Sequence, residues 1–181
     1  MSYAEIAAAG GGIRHTVSQT RGSDNLHRIG QERMQISFQH GTTSLEVKSG
    51  YGLDTESELK LLEIYNELHC ESTSPHLYPT WMGAHDIPHG FNRREYVEQI
   101  VSDQLPAILD QGIATAADVF CEPGWFTIED TEEICKAAAK GGMPLRLHVD
   151  EFTDGGGLEL AAELGAVTAD HAIHSSDDAR A

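Results

Sequence analysis

Strand-like and helix-like stretches alternate along this chain with no hairpin signal between them, and that regularity limits the folds open to it. Gly41 to Lys48 reads as a strand closed by Ser49-Gly50-Tyr51-Gly52. The spacing predicts a helix from about Asp54 to His69, with Thr55 and Glu58 placed as a capping box and Leu61, Tyr65 and Leu68 on one face. Pro75 to Ala84 is the next strand, ending at His85. A helix beginning near Asn92, with Glu95 three residues on, turns Val97, Ile100, Val101, Leu105 and Ile108 inward, and Pro106 within it predicts a kink. Ala114 to Glu122 reads as a further strand, followed by a helix from Thr127 that stops at Gly141-Gly142. Leu145 to Val149, a helix from Leu158 to Leu164 and a strand from Ala166 to Asp170 complete the series. Upstream, residues 13 to 40 read as two helices broken near Gly22.

Regular βα alternation implies a parallel sheet, either an open doubly wound sheet or an arc of a barrel. The 181 residues suffice for one packed core, but are fewer than the ~250 of a closed eight-stranded barrel. Without a linker or internal repeat, residues 1–181 are expected to form a single, partial domain. The 29 acidic and 12 basic residues leave a formal charge of −17, which argues against nucleic-acid or anionic-membrane partners. No stretch approaches the ~20 apolar residues of a membrane span. Met1 to Ile6 lack the basic and apolar regions of a secretion signal. Cys70, Cys121 and Cys135 are odd in number and widely spaced, which suits a reducing cytoplasm better than a disulfide framework.

The polar residues that could carry chemistry fall just after the strands: Lys48 with Tyr51, His85 with Asp86, Cys121 with Glu122, His148 with Asp150 and Glu151, and Asp170 with His171. Parallel α/β proteins place their active sites at the carboxyl ends of their strands, so five such clusters are expected to converge on one mouth. Any one of them alone is an ordinary loop histidine or carboxylate; five in phase point to a site. Their types agree. Imidazole is a good ligand for Zn²⁺ or Fe²⁺, a carboxylate three residues from it can take a proton from water, and a second imidazole at His171 can reprotonate a leaving group. Tyr51 on its glycine-flanked loop can donate a hydrogen bond to a substrate, although Gly50 and Gly52 also read as a tight turn requiring positive φ.

Other candidates are weaker. Gly155-Gly156-Gly157 could cradle an anion but lacks the Lys-Ser/Thr of a phosphate loop, so it reads as a turn. His85 and His89 have i, i+4 spacing, yet Pro88 argues against a helix there. Lys48 reads as a salt-bridging strand lysine rather than a modified metal bridge, and Cys121 as a buried thiol rather than a nucleophile.

Taken together, Glu46-Val-Lys-Ser-Gly-Tyr-Gly-Leu53, Gly83-Ala-His85, Asp118-Val-Phe-Cys-Glu122, His148-Val-Asp-Glu151 and Ala169-Asp-His171 resemble the imidazolonepropionases of the amidohydrolase superfamily, as do Gly10 to Ile13, Thr16-Val17 and Thr20-Arg21. The Lys-Ser-Gly-Tyr-Gly-Leu run is the most specific of these. The resemblance implies an α/β fold, part of a (β/α)8 TIM barrel covering strands two to six. It also implies a cytoplasmic, metal-dependent hydrolase of histidine degradation that opens 4-imidazolone-5-propanoate to N-formimidoyl-L-glutamate. In that family one Zn or Fe ion is held by a His-x-His pair, a further His and an Asp. Carried over, His148 matches the single His ligand, Glu151 the carboxylate that touches substrate and activates water, His171 the histidine near the reacting carbon, and Tyr51 and His85 substrate-binding positions.

The resemblance departs from the family where the family has an acidic residue in place of His89. No His-x-His pair occurs in the chain, so one metal ligand of four is expected, and weak metal retention and little unaided activity with it. Two other readings stay open: a related cyclic amidohydrolase or deaminase, which the Tyr51 loop disfavours, and a non-catalytic half-barrel that self-associates through open strand edges.

Overall fold

A computed structural model describes residues 9, 25–71 and 75–181. Gly10 to Ile13, Thr16-Val17 and Thr20-Arg21 lie outside these residues, as does the break expected near Gly22. Helix α1 (Leu26–Gln39) leads into strand β1 (Ser44–Lys48) and helix α2 (Thr55–Glu71). Then follow β2 (His76–Ala84), helix α3 (Arg93–Gln99), a π-helical turn (Ile100–Gln104), helix α4 (Leu105–Gln111), β3 (Ala116–Cys121), α5 (Ile128–Lys140), β4 (Leu145–Val149), α6 (Gly157–Glu163) and β5 (Thr168–His171). Among the described residues no helix is long and apolar enough to cross a membrane.

The strands form one sheet in the order β1-β2-β3-β4-β5, and every neighbouring pair is parallel. A doubly wound sheet reverses its strand order at a switch point; here each strand simply lies beside the one before it. The fold is therefore an α/β partial barrel, an arc of five parallel strands with flanking helices.

Alternation along the strands divides the two faces of that arc. Leu145, Leu147 and Val149 of β4 and Ala117, Val119 and Cys121 of β3 enter the main core with Leu62, Trp81, Tyr96, Ile108 and Ile134. Most of the intervening residues are polar, with Phe120 among them as an apolar exception: Glu46 and Lys48 on β1, Thr80 on β2, Asp118 on β3, Arg146 and His148 on β4, and Asp170 on β5. They stand in register or two residues apart across the pairs Lys48–Thr80, Asp118–Arg146 and His148–Asp170. One face of the arc thus buries hydrocarbon against helices, while the other carries a ladder of charge.

Local signals account for most boundaries. Asn92 and Glu95 form a reciprocal capping box at α3, and Thr127 does so with Asp130 at α5. The kink expected from Pro106 takes the form of the π-helical turn just before it. Pro106 has no N–H to give and its ring crowds the carbonyl of the preceding turn, so the helix widens there and resumes. β5 begins later than read from the sequence and includes His171 as its last residue.

The capping box expected of Thr55 and Glu58 is not formed. Asp54 accepts the Ser57 N–H at 2.7 Å, in the manner of an N-cap, and Thr55 donates to Asp103 instead. Glu58 is fully buried and accepts from the backbone N–H groups of Gly50 (2.9 Å), Gly52 (2.8 Å) and Leu53 (3.2 Å). The sequence pattern placed the carboxylate on the wrong partner: it holds the loop ahead of the helix, not the helix terminus. Burial raises its pKa, against the lowering effect of these hydrogen bonds and one from Ser49. Glu58→Gln offers one acceptor oxygen and points an amide N–H at a backbone N–H. We expect it to cost about 1–3 kcal/mol of unfolding free energy, measured by denaturant titration. Unchanged stability would remove Glu58 as the anchor of this loop.

Candidate active site at the carboxyl ends of the strands

The residues expected at the mouth meet there. The ring of His85, just past β2, lies 4.7 Å (centroid to centroid) from that of His148 near the end of β4, and His148 lies 5.1 Å from His171 at the end of β5. Tyr51 sets its ring 6.3 Å from His85, edge to face. Glu151 Oε2 is 3.5 Å from His171 Nε2, the two side chains about one-third exposed. Three imidazoles, one phenol and one carboxylate from four βα units therefore share one patch. A lone loop histidine has no reason to produce that arrangement.

Backbone strain collects at the same place. Tyr51, Leu53, Asp150, His171 and Ala172 have φ between 48° and 67°, a region costly for residues with a Cβ and often found at functional sites. At His171 the consequence can be read directly. Continued alternation would send its side chain to the helix side with Ala169; with φ at 67° the ring instead stands beside His148. The Gly50-Tyr51-Gly52 loop departs from expectation in detail. Positive φ falls on Gly50, Tyr51 and Leu53, not on Gly52. Gly52 is glycine for space, since a Cβ there would come within 2.8 Å of Glu58 Oε1 and Ser57 Cβ.

Two carboxylates expected in the mouth serve other ends. Asp150 does not join His148 and Glu151. It is 1% exposed, and its oxygens accept the N–H groups of Gly155 (3.1 Å), Gly157 (3.0 Å) and Leu158 (3.2 Å) and the hydroxyl of Ser175 (2.6 Å). Burial would raise its pKa; the four hydrogen bonds outweigh that and hold it low. The Gly155-Gly156-Gly157 turn thus cradles an anion that is the chain's own. Glu122, 1% exposed, accepts the N–H of Glu151 at 3.0 Å and the hydroxyl of Thr153 at 2.9 Å, which fixes the loop on which Glu151 stands.

Lys48 is the salt-bridging lysine anticipated. Its Nζ lies 2.6 Å from Asp118 Oδ2, 3.2 Å from Asp170 Oδ2 and 3.8 Å from Glu46. Burial opposes its charge, but Asp118 and the other two carboxylates raise its pKa. Cys121 is buried with its thiol pushed up to about 11 by that burial, so it stays protonated and unreactive. His89 is exposed, apart from the cluster.

Asp118 is the residue sequence reasoning did not single out by itself. It is fully buried, its Oδ1 accepts from His148 Nδ1 at 2.9 Å, and the same oxygen is 3.9 Å from His85 Nε2. Burial would raise its pKa, but the hydrogen bond from His148, the electrostatic influence of the two imidazoles beside it and the Lys48 ammonium bring it down to about 2. His85 is buried with neither ring nitrogen hydrogen-bonded, and burial lowers its pKa to about 3, so it is a neutral imidazole. One ligand atom from each of His85, Asp118 and His148 lies within 4.8 Å of the others, but the Lys48 ammonium 2.6 Å from Asp118 already neutralises that carboxylate, so the donors of a kind suited to Zn²⁺ or Fe²⁺ are the imidazoles.

No family model matches the chain. Over 180 residues, 97% of the chain, it is 43% identical to the imidazolonepropionase of Alkaliphilus metalliredigens (strain QYMF). It is 44% identical over 173 residues to that of Thermoanaerobacter pseudethanolicus (strain ATCC 33223 / 39E), and 39% identical over 180 residues to that of Haloarcula marismortui (strain ATCC 43049 / DSM 3752 / JCM 8966 / VKM B-1809). The chain spans 41–42% of the length of these curated relatives. The resemblance read from its motifs therefore extends along nearly all of it.

Proposed function

We propose that this chain carries part of the active site of an imidazolonepropionase-type hydrolase, which adds water to 4-imidazolone-5-propanoate and opens its ring to N-formimidoyl-L-glutamate. The observation that carries this reading is the Glu151–His171 pair, 3.5 Å apart and flanked by His148, His85 and Tyr51 at the carboxyl ends of parallel strands. In it Glu151 takes the proton of the attacking water as oxygen adds to the ring carbonyl carbon. The amide C–N bond then breaks, and His171 supplies a proton to the departing ring nitrogen. The Tyr51 hydroxyl donates a hydrogen bond to the substrate, and His85, a neutral and buried imidazole, underlies the pocket against His148.

A Zn or Fe ion fits the imidazoles here, with His148 the residue that would hold it. When bound, such an ion lowers the pKa of a water and polarises a carbonyl. Asp118 is a poor ligand for it, because the Lys48 ammonium already lies 2.6 Å away and would repel a second cation. We place the protein in a reducing compartment such as the cytoplasm, in keeping with the widely spaced cysteines and the buried thiols of Cys121 and Cys135.

The test is turnover by a polypeptide of the relatives' full length that carries this sequence, supplied with zinc or iron. The expected result is loss of 4-imidazolone-5-propanoate with stoichiometric N-formimidoyl-L-glutamate, in preference to other cyclic amides and to aminopyrimidines. Faster hydrolysis or deamination of one of those alternatives would replace the reading.

A further inference from the structure

Asp118 lies between two partners that ask different things of it. On one side, Oδ1 accepts from His148 Nδ1 at 2.9 Å; on the other, Oδ2 accepts from Lys48 Nζ at 2.6 Å. Lys48 comes from the far end of the arc, β1, and Asp170 on β5 holds it again at 3.2 Å. Asp170 Oδ2 also approaches His148 Nδ1, but at 3.8 Å it is too far to share the hydrogen bond. A carboxylate is an acceptor at both oxygens, and a neutral imidazole carries a single N–H. The nitrogen facing Asp118 must therefore be the protonated one. Lys48 keeps the carboxylate from turning away, and because Asp118 is 0% exposed no water competes for it.

We infer that Asp118, clamped by Lys48, is a positioning residue that fixes His148 in the Nδ1–H tautomer and leaves Nε2 as the nitrogen free to bind a ligand. The use of that nitrogen for a metal rests on the function proposed above; the tautomer does not. Aspartate is required in place of asparagine for a specific reason. In Asp118→Asn the new amide must give its oxygen to the Lys48 ammonium, which has no lone pair. Its NH₂ then faces His148 Nδ1, which can only accept, so the imidazole proton moves to Nε2.

The experiment is a long-range ¹H–¹⁵N correlation spectrum of the uniformly labelled chain, with chelator present and at a pH well above the ordinary imidazole range. His148 is assigned by the signal lost in His148→Gln. The wild-type chain should show the Nδ1–H pattern at His148, and Asp118→Asn should invert it to Nε2–H. Asp118→Asn combined with Lys48→Met removes the ammonium, lets the amide turn its oxygen back, and should restore a substantial share of Nδ1–H. A residue that merely packs would move none of these. An Nε2–H pattern in the wild-type chain overturns the inference, whether or not the substituted chains fold. So does an unchanged pattern in Asp118→Asn. Because no substrate or metal is used, absence of turnover in the full-length polypeptide would count against the hydrolase reading while leaving this result standing.

Discussion

Glu151→Gln, in a polypeptide of the relatives' full length carrying this sequence, is expected to lower turnover of 4-imidazolone-5-propanoate by about 10²–10⁴, the range for loss of a general base. The substitution keeps the shape of the side chain and one hydrogen-bonding oxygen, but it removes the group able to take a proton. Glu122 still receives the N–H of residue 151, because that contact is made by backbone, so the loop stays in place. Metal content should therefore match wild type, which separates lost chemistry from lost structure. The competing assignment is His171, whose Nε2 is 3.5 Å from the same carboxylate. If Glu151→Gln turned over near the wild-type rate while His171→Ala abolished turnover, His171 would be the base.

Acid should weaken the fold through His85 at pH values where most proteins are still stable. Burial holds its pKa at about 3, whereas an unfolded histidine titrates near ~6.5. Between those values the unfolded chain binds a proton at His85 that the folded chain refuses, so stability rises with pH across the window. The contribution is complete above ~6.5 and falls by about 1.4 kcal/mol per pH unit as pH drops toward 3. Asp118, held at about 2, adds its own loss only below the ~3.9 of an unfolded aspartate, while buried Glu58, whose pKa is raised, contributes a slope of opposite sign; both are common to wild type and a His85 variant, so the difference between the two isolates His85. His85→Leu fills a similar volume and cannot take a proton. Unfolding free energies measured by denaturant at stepped pH should give a shallower slope in the variant, by about one proton's worth. Parallel curves would mean that His85 is protonated in the folded chain or reaches solvent there.

How far each feature was legible depended on the range of the interaction that makes it. The partners of a parallel strand are set by topology once helices intervene between all strands, so the βα alternation sufficed to expect a parallel sheet and a mouth holding Tyr51, His85, His148, Glu151 and His171. The capping box at Asn92 and Glu95 was legible for the same reason, since both halves lie within four residues. Glu58 shows where short range misleads. Two local partners were in reach, the helix terminus and the preceding loop, and only the packing of Gly50 to Leu53 over the carboxylate chose between them.

Asp150, Glu122 and Asp118 sit in the same motifs as the candidate catalytic residues, yet residue type and spacing do not say which way a side chain turns. The positive φ at Asp150 buries one carboxylate at the start of α6 while its neighbour Glu151 remains at the mouth. The link from Lys48 to Asp118 spans 70 residues, and that from Asp118 to His148 spans 30. The sequence by itself determined the order of elements and the set of residues brought to the strand ends. Tertiary structure alone decided which carboxylates meet an imidazole, an ammonium or a backbone N–H, because the direction each side chain takes is set by local φ and by packing, and the Lys48 links to Asp118 and Asp170 join strands that are not neighbours in the sheet.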